Sequence, residues 1–258
     1  MLRRQGAQAQ PCEERALAMT DAREIYRLHA EQYDALVSCE DRAGNLLKAI
    51  RDVVTLEGAD VVELGAGTGR VTALLAAHVR SLRAFDLEPT MLEVARRKLS
   101  ELGTHNWQLE IADNARLPIA DASADLSIAA WSYGHQTVWH PGAWRLPIEA
   151  AIGEMKRVLR PGGTAIVIET LGTGHREPFT PPPELARYYA LLGELRFEHR
   201  WLRTDYQFAS LSEGERLVQF FFGQDLADAF RAAGSASLEE CTGLWWWRST
   251  APRETSAT

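Results

Sequence analysis

A chain of 258 residues with 46% hydrophobic composition can bury a full core, and its length suits one α/β domain. Its formal net charge of -7, without a Lys/Arg stripe, argues against a nucleic-acid partner, and no uncharged run is long enough to span a bilayer. Cys12, Cys39 and Cys241 are too few and too scattered for a disulfide framework or a cysteine-held cluster, which points to a reduced cytoplasm and no metal.

Residues 1–20 are rich in Ala, Gln and charge and are expected to be disordered, as is the small polar tail 249–258. Between them, 21–248 reads as a single domain. Ile25, Leu28, His29 and Tyr33 fall at helical spacings, and Leu46, Leu47, Ile50, Val53 and Val54 do so again, so two helices precede the first strand. An apolar strand then runs through Val61 and Val62 to Glu63 and into Gly65-Ala66-Gly67-Thr68-Gly69. Glycines at alternate positions let the backbone take positive φ and approach a ligand with no Cβ in the way. Val71, Leu74, Leu75 and Val79 continue at helical spacing, so the turn delivers a helix start to the same spot, the nucleotide corner of an open α/β sheet.

Leu82–Phe85 is a second strand ending at Asp86, and Pro89 opens a helix carrying Met91, Leu92, Ala95 and Leu99. Trp107–Ile111 alternates like a strand with one wetter face and leads to Asp113. Leu126–Trp131 is a fourth strand, followed by a Gly/His/Pro-rich stretch over 132–144. A helix with Ile148, Ala151, Ile152, Met155, Val158 and Leu159 on one face stops at Arg160-Pro161-Gly162-Gly163, and the run Ala165–Ile168 ends at Glu169. Alternating strands and helices predict a parallel sheet covered on both faces. Further on, a helix is expected over about 185–195, a strand over 200–208, a helical segment over 212–233 and a last strand over 237–248.

Glu63, Asp86 and Asp113 end three successive strands, so their carboxylates share the carboxyl edge of the sheet, where open α/β sheets bind ligands. Asp86 follows the glycine turn by about 20 residues, the place from which a carboxylate accepts ribose hydroxyls. This series, with Arg160-Pro161-Gly162-Gly163 before strand five, resembles the class I S-adenosylmethionine (SAM)-dependent methyltransferases of the small-molecule type, over about 26–248. The resemblance implies a Rossmann-like, doubly wound seven-stranded sheet, mostly parallel with an antiparallel last strand. It also implies an N-terminal helical lid over 21–57, a core over 58–171 and helical insertions with the last strands over 172–248.

It implies roles as well. SAM would be the cofactor and S-adenosylhomocysteine the product. Gly65, Ala66 and Gly67 would approach its methionine part, with Glu63 orienting the amino group. Asp86 would hold the ribose, flanked by Leu87 and Met91, and Asp113, Asn114 and Ala115 would face the adenine beside Trp131. Tyr33, in a Tyr33-Asp34 pair, would cover the cofactor. Tyr26, His29, Trp139 and Glu169 are candidates to meet a small-molecule acceptor. Methyl transfer from a sulfonium needs alignment and water exclusion first; where the accepting O, N or C must lose a proton, His135 and then Tyr133 are the catalytic candidates, with His140, Glu169 and His175 in reserve. Trp131, Trp139 and Trp144 supply aromatic faces above strands four and five, and Trp245-Trp246-Trp247 suits a strand buried on both sides. The chain is expected to act as a monomer or homodimer. An NAD-dependent oxidoreductase would use the same corner, but the third glycine comes one residue early for it and no Tyr-x-x-x-Lys pair is present. A silent SAM-binding module and a SAM enzyme of non-methylating chemistry remain open readings.

Overall fold

The computed structural model describes residues 22–250, so the expectations for 1–20 and for the end of the tail lie outside the described residues. Two short helices come first, α1 over 22–28 and α2 over Ala30–Val37, followed by α3, Asn45–Arg51. The alternating core follows as β1 Asp60–Leu64, α4 Arg70–Ala76, β2 Ser81–Asp86, α5 Pro89–Glu101, β3 Trp107–Ile111 and β4 Ala124–Ala130. Next are α6 Gln136–Trp139, α7 Arg145–Arg157, β5 Leu159–Thr173, α8 Pro183–Glu194 and β6 Glu198–Arg203. The chain ends with β7 Tyr206–Gln207, α9 Leu211–Phe222, α10 Gln224–Ala233, β8 Ser237–Leu238 and β9 Glu240–Arg248.

Seven strands form one sheet in the order β3-β2-β1-β4-β5-β9-β6. Strands β1 to β5 pair in parallel, and β9 runs antiparallel between β5 and β6, as the resemblance implied. Leu64 is level with Phe85 on one side and Ala129 on the other, while Asp86 is level with Ile111. That register brings the chain after β1, β2, β3 and β4 to a common edge. One face packs Val62, Leu64, Phe85 and Val167 against α7 and α8 through Ile148, Ile152, Met155, Tyr188 and Leu191. The other packs Val61, Leu82, Ile128, Ile166 and Leu244 against Leu46, Ile50, Val71 and Leu75. Strand β9 is interior to the sheet, and Trp245 is buried, while Trp246 and Trp247 are only half-buried because β6 is the sheet edge beyond them.

Four local expectations change. The first helix breaks at His29 (φ -130, ψ 32), which leaves Leu28 58% exposed. The expected strand over 200–208 divides into β6 and β7, and that over 237–248 into β8 and β9, since β7 and β8 pair with each other in a separate two-stranded sheet. The helical segment over 212–233 is interrupted at Gly223, whose φ of 91 no ordinary residue takes cheaply. These pieces bury Tyr206, Phe208, Leu217, Phe230 and Leu238 around Leu36 of α2, a satellite cluster that fixes the far end of the N-terminal helices. Among the described residues no helix is long and apolar enough to cross a membrane.

Gly69 begins α4 at φ +76, and a Cβ there would meet Ala95 of α5, with its Cβ at 2.9 Å and its backbone Cα at 3.2 Å. Gly69→Ala therefore combines left-handed strain with a backbone clash and should lower stability by about 2 kcal/mol. The urea midpoint measures this, and an unchanged midpoint would mean that α5 shifts freely.

Candidate SAM site at the glycine corner

The corner is held from β2. The N–H groups of Gly65 and Ala66 both donate to the Phe85 carbonyl at 2.8 Å, and the Gly67 N–H donates to Asp86 Oδ2 at 2.8 Å. Asp86 Oδ1 accepts from the Glu88 N–H at 2.9 Å, so this carboxylate closes the glycine turn and also receives the start of α5. Burial raises its pKa, opposed by the Glu88 and Gly67 amides. Gly65 and Gly67 have φ of 75 and 54. At Gly65 an added Cβ would come within 2.1 Å of Ser132 Oγ, and at Gly67 it would stand 3.5 Å from Met91 Cε. A side chain at Gly65 would collide with Ser132, which packs directly over the turn.

Glu63, behind the turn, is buried and accepts from Thr72 Oγ1 at 2.6 Å. Burial pushes its pKa up to about 8, with the Thr72 hydrogen bond opposing and the Asp86 charge adding to the rise. On the β3 side, Asp113 is exposed and accepts from the Ala115 N–H at 2.9 Å. Asn114 Nδ2 donates to Ser132 Oγ at 3.1 Å, which leaves Asn114 Oδ1 buried without a partner. Leu87 is 60% exposed beside Asp86. Trp131, just past β4, has a φ of 49, unusual for a residue with a Cβ, and its ring lies under the Arg70 guanidinium at 4.0 Å.

Over the corner, Tyr26 of α1 packs with Ile25, Ala30, Met91 and Val94, and Thr90 Oγ1 donates to the Tyr26 carbonyl at 3.0 Å. Ion pairs Glu31–Arg97 and Asp34–Lys98 join α2 to α5. Tyr33 meets the Tyr26 ring edge-on at 5.1 Å and also contacts Phe221 of α9. The Tyr26 hydroxyl and His135 Nε2 are 2.8 Å apart in a hydrogen bond, and His135 stacks on Trp139 at 5.1 Å. Burial lowers the His135 pKa to about 4, so the imidazole is neutral near pH 7, and its Nδ1 is buried without a hydrogen-bond partner. Glu169 lies within β5, which continues to Thr173 rather than ending at this residue, and it accepts at Oε1 from the Tyr133 and Gly134 amides at 3.1 and 2.9 Å and from the Tyr188 hydroxyl at 3.2 Å. Its burial raises the pKa to about 7.

The structure thus brings Tyr26, Tyr33, Met91, His135 and Trp139 together over a corner made by Glu63, Gly65, Ala66, Gly67, Asp86, Asn114 and Trp131. It does not bring His29 there: that ring is exposed and leans on Phe220 at 5.9 Å, because the helix breaks at this residue. Tyr133 turns its side chain into the core around Tyr188 and reaches the site through its amide on Glu169. Trp144 is also buried in that core, His140 is exposed, and exposed His175 stacks on Phe179. Ser132 and Arg70 were not singled out from sequence. Ser132 directly follows the Trp131 that ends strand four, and Arg70 directly follows Gly69, so adjacency was the available signal. Among the described residues no three His, Cys, Asp or Glu side chains form a metal-binding group.

The residues present fit SAM. The strand-end carboxylate of Asp86 stands beside the glycine turn, and Asn114 Oδ1 on the β3 side is a buried polar atom lacking a partner. Folded Glu63 keeps its proton up to about pH 8, whereas an unperturbed glutamate releases it near 4.5. Between those values the folded state binds more protons, so stability present at low pH is lost as pH rises through about 8. Glu63→Gln removes this dependence. From about pH 5.5 to about pH 8 its urea-derived stability should fall less than that of the parent, by about 1–3 kcal/mol. Parallel pH curves for the two proteins would refute the assignment.

Residues 61–163 match the family described as "Methyltransferase domain". The demethylmenaquinone methyltransferase of Clavibacter sepedonicus is 32% identical over 165 residues, covering 60% of each chain. The malonyl-[acyl-carrier protein] O-methyltransferase of Marinomonas sp. is 28% identical over 193 residues, 72% of this chain and 65% of that one. The chain thus spans about three fifths of the length of these curated relatives. A SAM-dependent methyltransferase from Aquifex aeolicus superposes over 92% of this chain and 98% of its own, with a TM-score of 0.50 and 16% identity. A glycine turn closed by a strand-end aspartate, in a 3-2-1-4-5 sheet extended by an antiparallel strand, is the setting of residues 61–163, the part of this chain that is similar to a methyltransferase domain.

Proposed function

We propose that this protein transfers a methyl group from SAM to an O, N or C nucleophile of a small-molecule acceptor. The observation that carries the reading is the Asp86–Gly67 closure of the glycine turn, set beneath a lid whose Tyr26 reaches His135. Bound SAM supplies an activated methyl group, and this chain's residues bind, align and dry the site. Asp86 would accept from the ribose, Glu63 would orient the amino group, and Asp113 with Asn114 and Ala115 would face the adenine. Tyr26, His135 and Trp139 form an aromatic wall next to the chain after β4, suited to a flat or apolar acceptor. The two relatives named above differ in acceptor, so their names support methyl transfer rather than one substrate. Residues 21–248 act as one domain in this reading, in the cytoplasm, as a monomer or homodimer without nucleic acid.

Proton removal has two candidate groups. His135 is the nearer to the lid, but burial leaves it a weak base while Tyr26 occupies Nε2. Glu169 has one oxygen held by three donors and a pKa near 7, which matches the working pH better. We assign His135 to placing the acceptor and taking its proton when the lid moves, with Glu169 as the competing base.

Calorimetry with SAM and with NADH tests the cofactor: SAM should bind and NADH should not, and the reverse result sinks the proposal. Asp86→Asn keeps the side-chain size and one acceptor oxygen but removes the charge, and should weaken SAM binding roughly 10- to 100-fold. For turnover, SAM and a metabolite extract followed by mass spectrometry should reveal an acceptor heavier by one methylene. With that acceptor, His135→Ala should lower kcat about 100-fold or more and leave SAM affinity nearly unchanged. If Glu169 is the base instead, kcat/KM will bend near pH 7 in the parent and lose the bend in Glu169→Gln, while His135→Ala keeps it.

A further inference from the structure

Arg70 follows the glycine turn immediately, and its guanidinium is held on two sides. Nη1 donates to Glu40 Oε2 at 2.6 Å, and Cζ lies over the Trp131 ring, 4.0 Å from its centroid. Glu40 is itself fixed by Thr204, whose hydroxyl donates to Oε1 at 2.8 Å. Nη2 of Arg70 is buried and has no partner. A charged donor left in that condition costs more than a neutral one, so an acceptor is expected there.

The surroundings select a carboxylate. Arg70 lies among Glu40, Tyr33 and Tyr206, and Glu240 also feels its charge. Burial pushes Glu240 up to about 8, and Glu40 is the acid paired with the guanidinium. On the other side of the same turn is Glu63, seven residues earlier, with no basic partner in its hydrogen bonds. An acid and a base therefore flank the glycines, which suits a zwitterionic amino acid lying along them. Trp131 ties the two halves together. Its ring carries Arg70, and the next residue, Ser132, occupies the space over Gly65.

We propose that Arg70 recognises the carboxylate of the methionine part of SAM, with Nη2 donating to it while Glu40 and Trp131 hold the guanidinium in plane. This rests on the SAM reading above and adds a residue to it. The probes are SAM, decarboxylated SAM and 5′-methylthioadenosine, which retains the adenosyl part without the amino acid, each titrated calorimetrically into the full chain.

The parent should bind SAM at least about tenfold more tightly than decarboxylated SAM. Arg70→Met alone would strand the buried Glu40, so the informative variant is Arg70→Met/Glu40→Gln, in which the Thr204 hydroxyl can still donate to the amide oxygen. That variant should bind the two SAM forms within about twofold of each other and 5′-methylthioadenosine as the parent does. A preference for SAM that survives in the double variant overturns the proposal. So does a parent that binds both forms equally, a result that needs no variant to fold. If the parent binds none of the three compounds, the SAM reading fails as well, and the two failures are told apart.

Discussion

Everything at the functional edge depends on how β2 closes the glycine turn. Three successive N–H groups, of Gly65, Ala66 and Gly67, point at the end of one strand and are taken by the Phe85 carbonyl and the Asp86 carboxylate. Glycine holds φ of 75 and 54 at alternate positions without strain, and at the first of them Ser132 packs too closely for any Cβ. The same carboxylate also receives the Glu88 amide, so the direction of α5 is set by the group that closes the turn. Since α5 carries Met91 and Val94, the floor under Tyr26 follows from that one side chain.

The lid above is secured differently. Its ion pair Glu31–Arg97 joins two well-exposed side chains and contributes little in water, on the order of 0–1 kcal/mol. Asp34–Lys98 is more sheltered, yet both pairs lie on α2, while α1 rests on the small apolar patch of Ile25 and Tyr26 against Met91 and Val94. The backbone leaves helical geometry at His29, between the two. A short element with few buried groups, joined through a break to a better anchored helix, is the part of a fold that opens at least cost. Tyr26 would carry its hydrogen bond to His135 away with it, so lid position and the availability of Nε2 are linked.

Local pattern made the core legible and long-range pairing hid the rest. Strands β1 to β5 and their helices could be read because each is bounded by its own signals: Gly65 to Gly69 after β1, Pro89 opening α5, and Arg160-Pro161-Gly162-Gly163 inside the start of β5. Those four residues fall within a strand rather than before it, since Leu159 already pairs with Ala124 ahead of the register shift. The satellite around Leu36 was not legible. Tyr206 pairs with Leu238 and bridges to Glu40, and neither contact leaves a mark on the two-residue strands themselves. In the site, Glu63 and Asp86 could be placed because strand ends share an edge. Arg70 looked like an ordinary first helical residue, for its partners Glu40 and Trp131 are 30 and more residues away in sequence. His29 shows the opposite error, where a spacing shared with Tyr26 and Tyr33 was interrupted by a backbone break that residue types did not announce.

Acids that keep their protons give the edge its electrostatic character. Burial raises Glu63, Glu169 and Glu240 to about 8, 7 and 8, so these three groups carry less negative charge near neutral pH than composition suggests. Leaving all three ionised in a water-poor setting would be costly, and neutralisation is the cheaper state. A cation placed against Glu63 reverses the balance, because an opposite charge within a few ångströms stabilises the ionised carboxylate. Binding of a sulfonium-and-ammonium ligand would then be coupled to proton release from the edge, and its affinity would rise with pH until Glu63 is ionised without help. An anionic or neutral ligand gains nothing from the same groups. In the proposed reading Glu63 would thus favour positive charge through a proton that it can give up, while Arg70, paired with Glu40, would serve the carboxylate.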